Sequence, residues 1–290
     1  MGELRRVKGR VAEAEHLVKR ALQVNPNSIG ALSQLAAIKR DQGDLDESIR
    51  LYREALGVDD SRPFVHLGLG DSLQRAGRYA EAEQAFRSVL ELDPDSFEAA
   101  YNLGVTYLSQ KRYPEASEFF EKALELNPRH PRTAYVFNNL GDIQLRRGDP
   151  EKAIESFRRA VEASPGHFES RYNLGTLYLQ RGQVDDAIPL LEAAASLRPD
   201  HEWTHVSLGR AYLRKGRNQD AYKSFLLVRR LYPENWVAAL GLALLNAASD
   251  QPERARALLA EALRLGGAPA RAEAGSYPIL AEFLEAQGAS

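Results

Sequence analysis

The chain is 290 residues long, with a formal net charge of −2 and no cysteine. That near-balance gives no electrostatic reason to expect nucleic acid or an anionic membrane as a partner, and the missing thiols remove disulfides and cysteine chemistry. No apolar run reaches the roughly 18 residues that a membrane-crossing helix needs, and the basic N-terminus lacks the apolar segment of a secretory signal. The cytoplasm is the expected compartment, with a periplasmic or extracellular setting left open should a parent's signal sequence precede this segment.

In chain order, Val11, Ala14, Leu17, Val18 and Ala21, stopped by Pro26, have the spacing of a complete amphipathic helix. Only a stub, Met1 to Lys8, precedes it where a partner helix is expected. The chain is therefore expected to begin mid-repeat, as a piece of a longer protein or with its first helix shortened. From there a pattern recurs. Leu-Gly or Leu-Ala stands at Leu35, Leu69, Leu103, Leu140, Leu174, Leu208 and Leu242, at a spacing of 34 residues except for 37 between Leu103 and Leu140. A small residue follows in step (Ser48, Ala82, Ala116, Ala153, Ala187, Ala221, Ala255), then a large one (Tyr52, Phe86, Phe120, Phe157, Leu191, Phe225, Leu259).

The stretch Phe97 to Pro128 shows why each period is a helix pair. Leu103, Gly104, Tyr107 and Leu108 form one apolar stripe, and Ala116, Phe119, Phe120, Ala123 and Leu124 form a second. Polar Gln110-Lys111-Arg112 separates them, Pro114 suits the first turn of a helix, and Pro128 ends the pair. Gly104 and Ala116 let the two backbones approach while Phe120 fills the space beside them. The longer spacing predicts a three-residue insertion near Pro131-Arg132-Thr133, in the loop or as an added helical turn. Gly266-Gly267-Ala268-Pro269 is expected to close the last repeat. Ser276 is then placed to cap a final helix from Pro278, with Leu280, Phe283 and Leu284 over the last apolar face.

At these residues the chain resembles the tetratricopeptide repeat family, whose 34-residue helix-turn-helix pattern they match. The resemblance implies an all-α fold, a right-handed αα superhelix (solenoid) of about seven repeats with a partial N-terminal unit and a C-terminal capping helix. The expected division is a partial repeat at 1–28, repeats at 29–62, 63–96, 97–130, 134–167, 168–201, 202–235 and 236–267, and a cap at 268–290. The family's known role is holding other proteins, usually in a concave groove lined by the first helix of each repeat. A protein or peptide partner is thus implied, with no cofactor and no metal.

His201-Glu202-Trp203-Thr204-His205 fits the H-E-x-x-H pattern of zinc proteases, which needs both histidines on one helix face. The repeat register puts His201 in the turn before the helix instead, and no third ligand follows. His130, His167 and His201 each precede a new repeat, too far apart for one ion. There is no G-x-S-x-G elbow and no phosphate-binding loop, so no enzyme activity is expected of this segment.

The groove carries the functional expectation. Asparagine stands just before the Leu-Gly pair in three consecutive units, at Asn102, Asn139 and Asn173, and an amide can pair with both the N–H and the C=O of an extended peptide. This resembles the asparagine ladder in the tetratricopeptide arm of O-linked N-acetylglucosamine transferases. Tyr101 and Tyr172 stand one residue earlier, Tyr135 and Trp203 near their helix starts, and Asp142, Arg146 and Arg210 add charge. The inward places that hold lysines in chaperone-tail clamps here hold Ser33, Leu67, Tyr101, Asn138, Tyr172, Val206 and Leu240, which argues against such a clamp. The function expected is a scaffold that binds an extended partner segment in the groove. The alternatives are the substrate-docking arm of a larger enzyme, glycosyltransferase-like for example, and a homo-oligomer module pairing through the N-terminal partial repeat.

Overall fold

A computed structural model describes residues 2–288. Among them every regular element is an α-helix. A long α1 (Gly2–Val24) is followed by seven helix pairs: α2 (Ile29–Asp41) with α3 (Leu45–Val58), α4 (Pro63–Arg75) with α5 (Tyr79–Leu92), α6 (Phe97–Ser109) with α7 (Tyr113–Leu126), α8 (Thr133–Arg146) with α9 (Pro150–Ala163), α10 (Phe168–Gln180) with α11 (Val184–Leu197), α12 (Glu202–Arg214) with α13 (Asn218–Leu231), and α14 (Trp236–Ala248) with α15 (Pro252–Gly275). The last element among the described residues is α16 (Pro278–Gly288). It forms two compact units, 1–143 and 144–290, divided within α8.

The pairs form for local reasons repeated down the chain. Ser28, Ser96 and Asn235 cap first helices through side-chain oxygens, and Asp44 and Asp149 cap second helices. Each turn within a pair is left-handed at one residue, with Gly43, Gly77, Gly148, Gly182 and Gly216 at positive φ, and Lys111 and Asp250 taking the same place at φ 60 and 56. The next N–H then closes the preceding helix, as in Arg112 N to Tyr107 O at 2.9 Å.

The periodic residues make the core. Every small residue of the series from Ser48 to Ala255 is fully buried, and Phe86, Phe120, Phe157 and Leu191 have no exposed surface. A Cβ on Gly104 would lie 2.6 Å from Phe120, and one on Gly70 would lie 2.5 Å from Phe86. These rings occupy the space that the glycines leave, and burying each contributes roughly 1.5–3 kcal/mol. In unit 1, α2, α4 and α6 pack side by side with their partners; in unit 2, α10, α12 and α14 do the same.

Three local expectations are corrected. The N-terminal stub is not a separate element: α1 runs unbroken from Gly2 to Val24, with Met1 outside the described residues. The three-residue insertion is shared. The loop before α8 has six residues (127–132) where that before α6 has four (93–96), and Leu140 is the eighth residue of its helix where Leu103 is the seventh. Ser276 does not cap the last helix, because its hydroxyl donates backwards to the Glu273 carbonyl at 2.6 Å and closes α15. Gly267 does break the chain, at φ 56 and ψ −132, but helix resumes directly after it to Gly275. Leu280 is fully buried against α14 and α15, with Phe283 and Leu284 beside it.

Candidate partner-binding face

In α4, α6, α8, α10 and α12 one register near the helix start reaches solvent, whereas in α14 the same place holds the buried Val237. Five residues before the Leu-Gly pair stand Phe64, Glu98 and Tyr135 in unit 1, and Glu169 and Trp203 in unit 2. The three aromatics are about half exposed, at 54%, 48% and 48%. Large aromatic rings left in water are the residues most often found at recognition surfaces. Phe64 escaped the sequence reading, although the register that marks Tyr135 and Trp203 also marks it.

Tyr101 and Tyr172 are less open. The Tyr101 phenol is hydrogen-bonded to the Asn139 side chain, its ring is stacked on Phe97 (centroids 6.2 Å apart), and the Arg132 guanidinium lies 5.6 Å from its centroid. Tyr172 repeats the arrangement, stacking on Phe168 at 5.9 Å and bonding to the Ser207 side chain. Burial raises the pKa of both phenols. Asn139 and Ser207 occupy the same register, the place just before Leu-Gly. Each tyrosine therefore ties its own first helix to the next one.

This changes what the three asparagines can offer. Asn139 is already engaged by Tyr101, and Asn173, Asp142 and Tyr135 also interact within the protein. The Asn102 amide has no protein partner among the described residues; only its backbone carbonyl is used, by Thr106 at 2.7 Å and Gln74 at 3.4 Å. Of the places compared with chaperone-tail clamps, Ser33, Asn138, Val206 and Leu240 are buried packing positions, and Leu67, Tyr101 and Tyr172 are half-buried.

Of the charged candidates, Arg146 is exposed and has no ion-pair partner among the described residues. Arg210 is committed, its Nη2 donating to both carboxylate oxygens of Glu273 at 2.6 and 2.7 Å. That bond joins α12 to the part of α15 beyond Gly267, 63 residues on.

The histidines have structural work. His167 and His201 cap α10 and α12, each Nδ1 accepting from the backbone N–H three residues on, of Ser170 at 3.3 Å and Thr204 at 3.2 Å. The side-chain hydroxyls of the same residues lie 2.6 and 2.8 Å from those nitrogens. Burial is the main cause of a lowered pKa at both. His205 Nε2 meets the Pro199 carbonyl at 2.8 Å, so the two histidines of H-E-x-x-H serve separate backbone contacts. Among the described residues no group of three or more His, Cys, Asp or Glu is placed to hold a metal ion.

Tetratricopeptide repeat family models match residues 27–95, 61–128 and 95–165, then 138–202 and 206–274, and also 180–228. Among solved structures the chain is similar to Pseudomonas aeruginosa PilF, at 22% identity and TM-score 0.66, over 72% of this chain and 94% of that one. It is similar to PilW, a type IV pilus biogenesis factor, at 21% identity and TM-score 0.62, over 74% and 98%. A third is YrrB, described as having an unusual peptide-binding site, at 23% identity and TM-score 0.53, over 64% and 95%. At these identities the likeness is one of fold. No curated protein matches the chain.

Proposed function

We propose that this chain, which belongs to the tetratricopeptide repeat family, is a non-enzymatic scaffold holding an extended segment of a partner protein against its first helices. The observation that carries the reading is half-exposed aromatics at one register of the first helices, Phe64 and Tyr135 within unit 1 and Trp203 within unit 2, each unit taken by itself. Helix backbones are internally hydrogen-bonded, so an extended ligand must be held by side chains. The rings supply apolar area, and the Asn102 amide supplies a donor and an acceptor for a passing peptide group. Glu98 and Glu169, between the aromatics in sequence, are spoken for by His130 at 3.0 Å and Arg198 at 2.5 Å, so they shape the face more than they charge it.

The test is selection of peptides from a displayed library on the immobilised protein, followed by affinity measurement on Phe64→Ala, Tyr135→Ala, Trp203→Ala and Asn102→Ala. Loss of a large buried ring is expected to weaken a selected peptide by about tenfold or more, and loss of the amide by severalfold. Peptides whose affinity is the same for all four variants would place the binding surface elsewhere.

Self-association is the second reading, favoured by one observation: Leu17 and Val24 of α1 are exposed. A mass by light scattering that does not change with concentration rules it out.

A further inference from the structure

Three of the spaces between consecutive second helices are filled in one way, by a tyrosine at a register that holds Lys39, Leu73 and Gln144 in other repeats. Four residues after the repeat leucine, Tyr107 is fully buried between α5 and α7. Its hydroxyl donates to Glu83 at 2.9 Å and accepts from Arg87 at 2.9 Å, with the Arg112 guanidinium 4.4 Å from its centroid. Tyr178 accepts from Arg158 at 3.0 Å in the same register. Tyr212 donates to Glu192 at 2.7 Å, with Arg217 at 4.4 Å over the ring. In each case a phenol plugs the cleft and a charged residue of the preceding second helix holds it.

At the next repeat both halves of this device are replaced. The tyrosine place holds Asn246, and the place of Arg87, Arg158 and Glu192 holds Leu226. Asn246 turns its amide back onto its own helix, donating to the Leu242 carbonyl at 2.7 Å, so it asks nothing of the cleft. Between α13 and α15 there is accordingly a cavity of about 420 Å³, lined by Tyr222, Leu226, Asn246, Arg254, Leu258 and Glu261 among others. It continues into a second of about 360 Å³ through Tyr222, Asn246 and Arg254. The rim changes too. Where α5, α7 and α9 carry Glu91, Glu125 and Glu162, α13 carries Arg230, which lines the adjoining surface with Lys223 and Leu226, while Lys223 and Arg254 line the second cavity. Arg230 and Arg254 have no carboxylate partner among the described residues. Lys223 reaches only Asp220 at 3.9 Å, a carboxylate that Arg217 already holds at 2.8 Å. Arg229 is neutralised by Glu261 at 2.7 Å.

We propose that this cleft is a docking site, separate from the first-helix face, for an acidic amphipathic helix of a partner protein. The helix inserts an aromatic side chain where the repeat's tyrosine is missing and sets carboxylates against Lys223, Arg230 and Arg254. The walls are two helices with no free backbone groups, so the complement is a ridge of side chains, which a helix presents at three- and four-residue spacing. The aliphatic side chains of Leu226, Leu242 and Leu258 call for the ring, and the cations without a close carboxylate call for the acid.

The probe is a fluorescein-labelled helical peptide of about 18 residues, with Phe and Leu one turn apart and glutamates on both flanks, beside a twin with lysines for the glutamates. Fluorescence anisotropy on the full chain is expected to show the acidic peptide binding about tenfold or more tightly than the basic one, and weakening as salt is raised. Asn246→Tyr combined with Leu226→Glu rebuilds the Tyr212–Glu192 plug, and it is expected to keep the helical circular dichroism and lose binding about tenfold. Should that pair disturb folding, Lys223→Glu with Arg230→Glu, both on the surface, is expected to give the same loss. No binding of the acidic peptide, equal binding of both peptides, or undiminished binding to the folded plugged variant overturns the proposal. So do two other results: a concentration-dependent mass abolished by the plug, which assigns the cleft to a second copy of this chain, or plug-sensitive binding to phosphatidylserine vesicles without peptide binding.

Discussion

Acid is expected to loosen unit 2 through two residues, His167 and His201. Each accepts a backbone N–H at Nδ1 only while that nitrogen is unprotonated, and burial holds both pKa values below the usual histidine value. At His167 the neighbouring Glu169 pulls the other way, but burial outweighs it. The unfolded chain therefore takes up these protons first as pH falls. The stability they confer is complete above about pH 6.5 and is lost as pH drops from there through the lowered folded values. Losing an N-cap costs about 1 kcal/mol, and an imidazolium at a helix N-terminus adds roughly 0.3–1 kcal/mol. The two sites together amount to about 3 kcal/mol, a large share of the 5–15 kcal/mol typical of a folded domain. Urea unfolding followed by tryptophan fluorescence at about pH 7.5 and pH 5 measures it, since Trp203 lies two residues beyond the second cap. The control is His167→Asn with His201→Asn, because asparagine caps without titrating and Asn235 already does so for α14, accepting from Ala238 N at 2.8 Å. The variant is expected to lose about 3 kcal/mol less than the parent between the two pH values. Equal losses would refute the reasoning and shift the acid sensitivity to the carboxylates.

Two substitutions test the packing and the turns. Gly104→Ala puts a methyl 2.6 Å from Phe120 and is expected to destabilise unit 1 by about 1–3 kcal/mol, measured by urea unfolding. Lys111→Gly relieves a left-handed backbone at φ 60 and is expected to raise stability by about 0.5–1 kcal/mol in the same assay, as the other turns already use glycine.

The fold was legible because its signals are periodic. Leu103, Gly104, Ala116 and Phe120 are repeated often enough that register alone places the buried rings against the glycines. The ends were harder to read, since a terminal helix lacks a neighbour on one side and its apolar pattern is weaker. That is why α1 runs through the expected stub and Ser276 closes one helix instead of opening another. The candidate face was legible in part. Position predicts that Tyr135 and Trp203 are open, but not that Tyr101 spends its hydroxyl on Asn139 or that Arg210 is held by Glu273. Those bonds join residues 38 and 63 positions apart, a distance over which spacing carries no information. The cleft at Asn246 was in principle readable, as a departure from the tyrosine of Tyr107, Tyr178 and Tyr212. Its meaning needed the structure, which shows what those tyrosines fill.

The Arg210–Glu273 bond also bears on how the array melts. In stacked repeats each unit touches only its neighbours, so opening spreads inward from an end one repeat at a time. The link from α12 to the part of α15 beyond Gly267, made through one guanidinium nitrogen to both carboxylate oxygens, adds a tie between the last two helix pairs. The part of α15 after Gly267 then cannot peel from α14 without also releasing α12, and the C-terminal repeats are expected to open as a block. Native-state hydrogen exchange would show this as one shared opening free energy across α12, α14 and α15, in place of the graded fraying of an unlinked end.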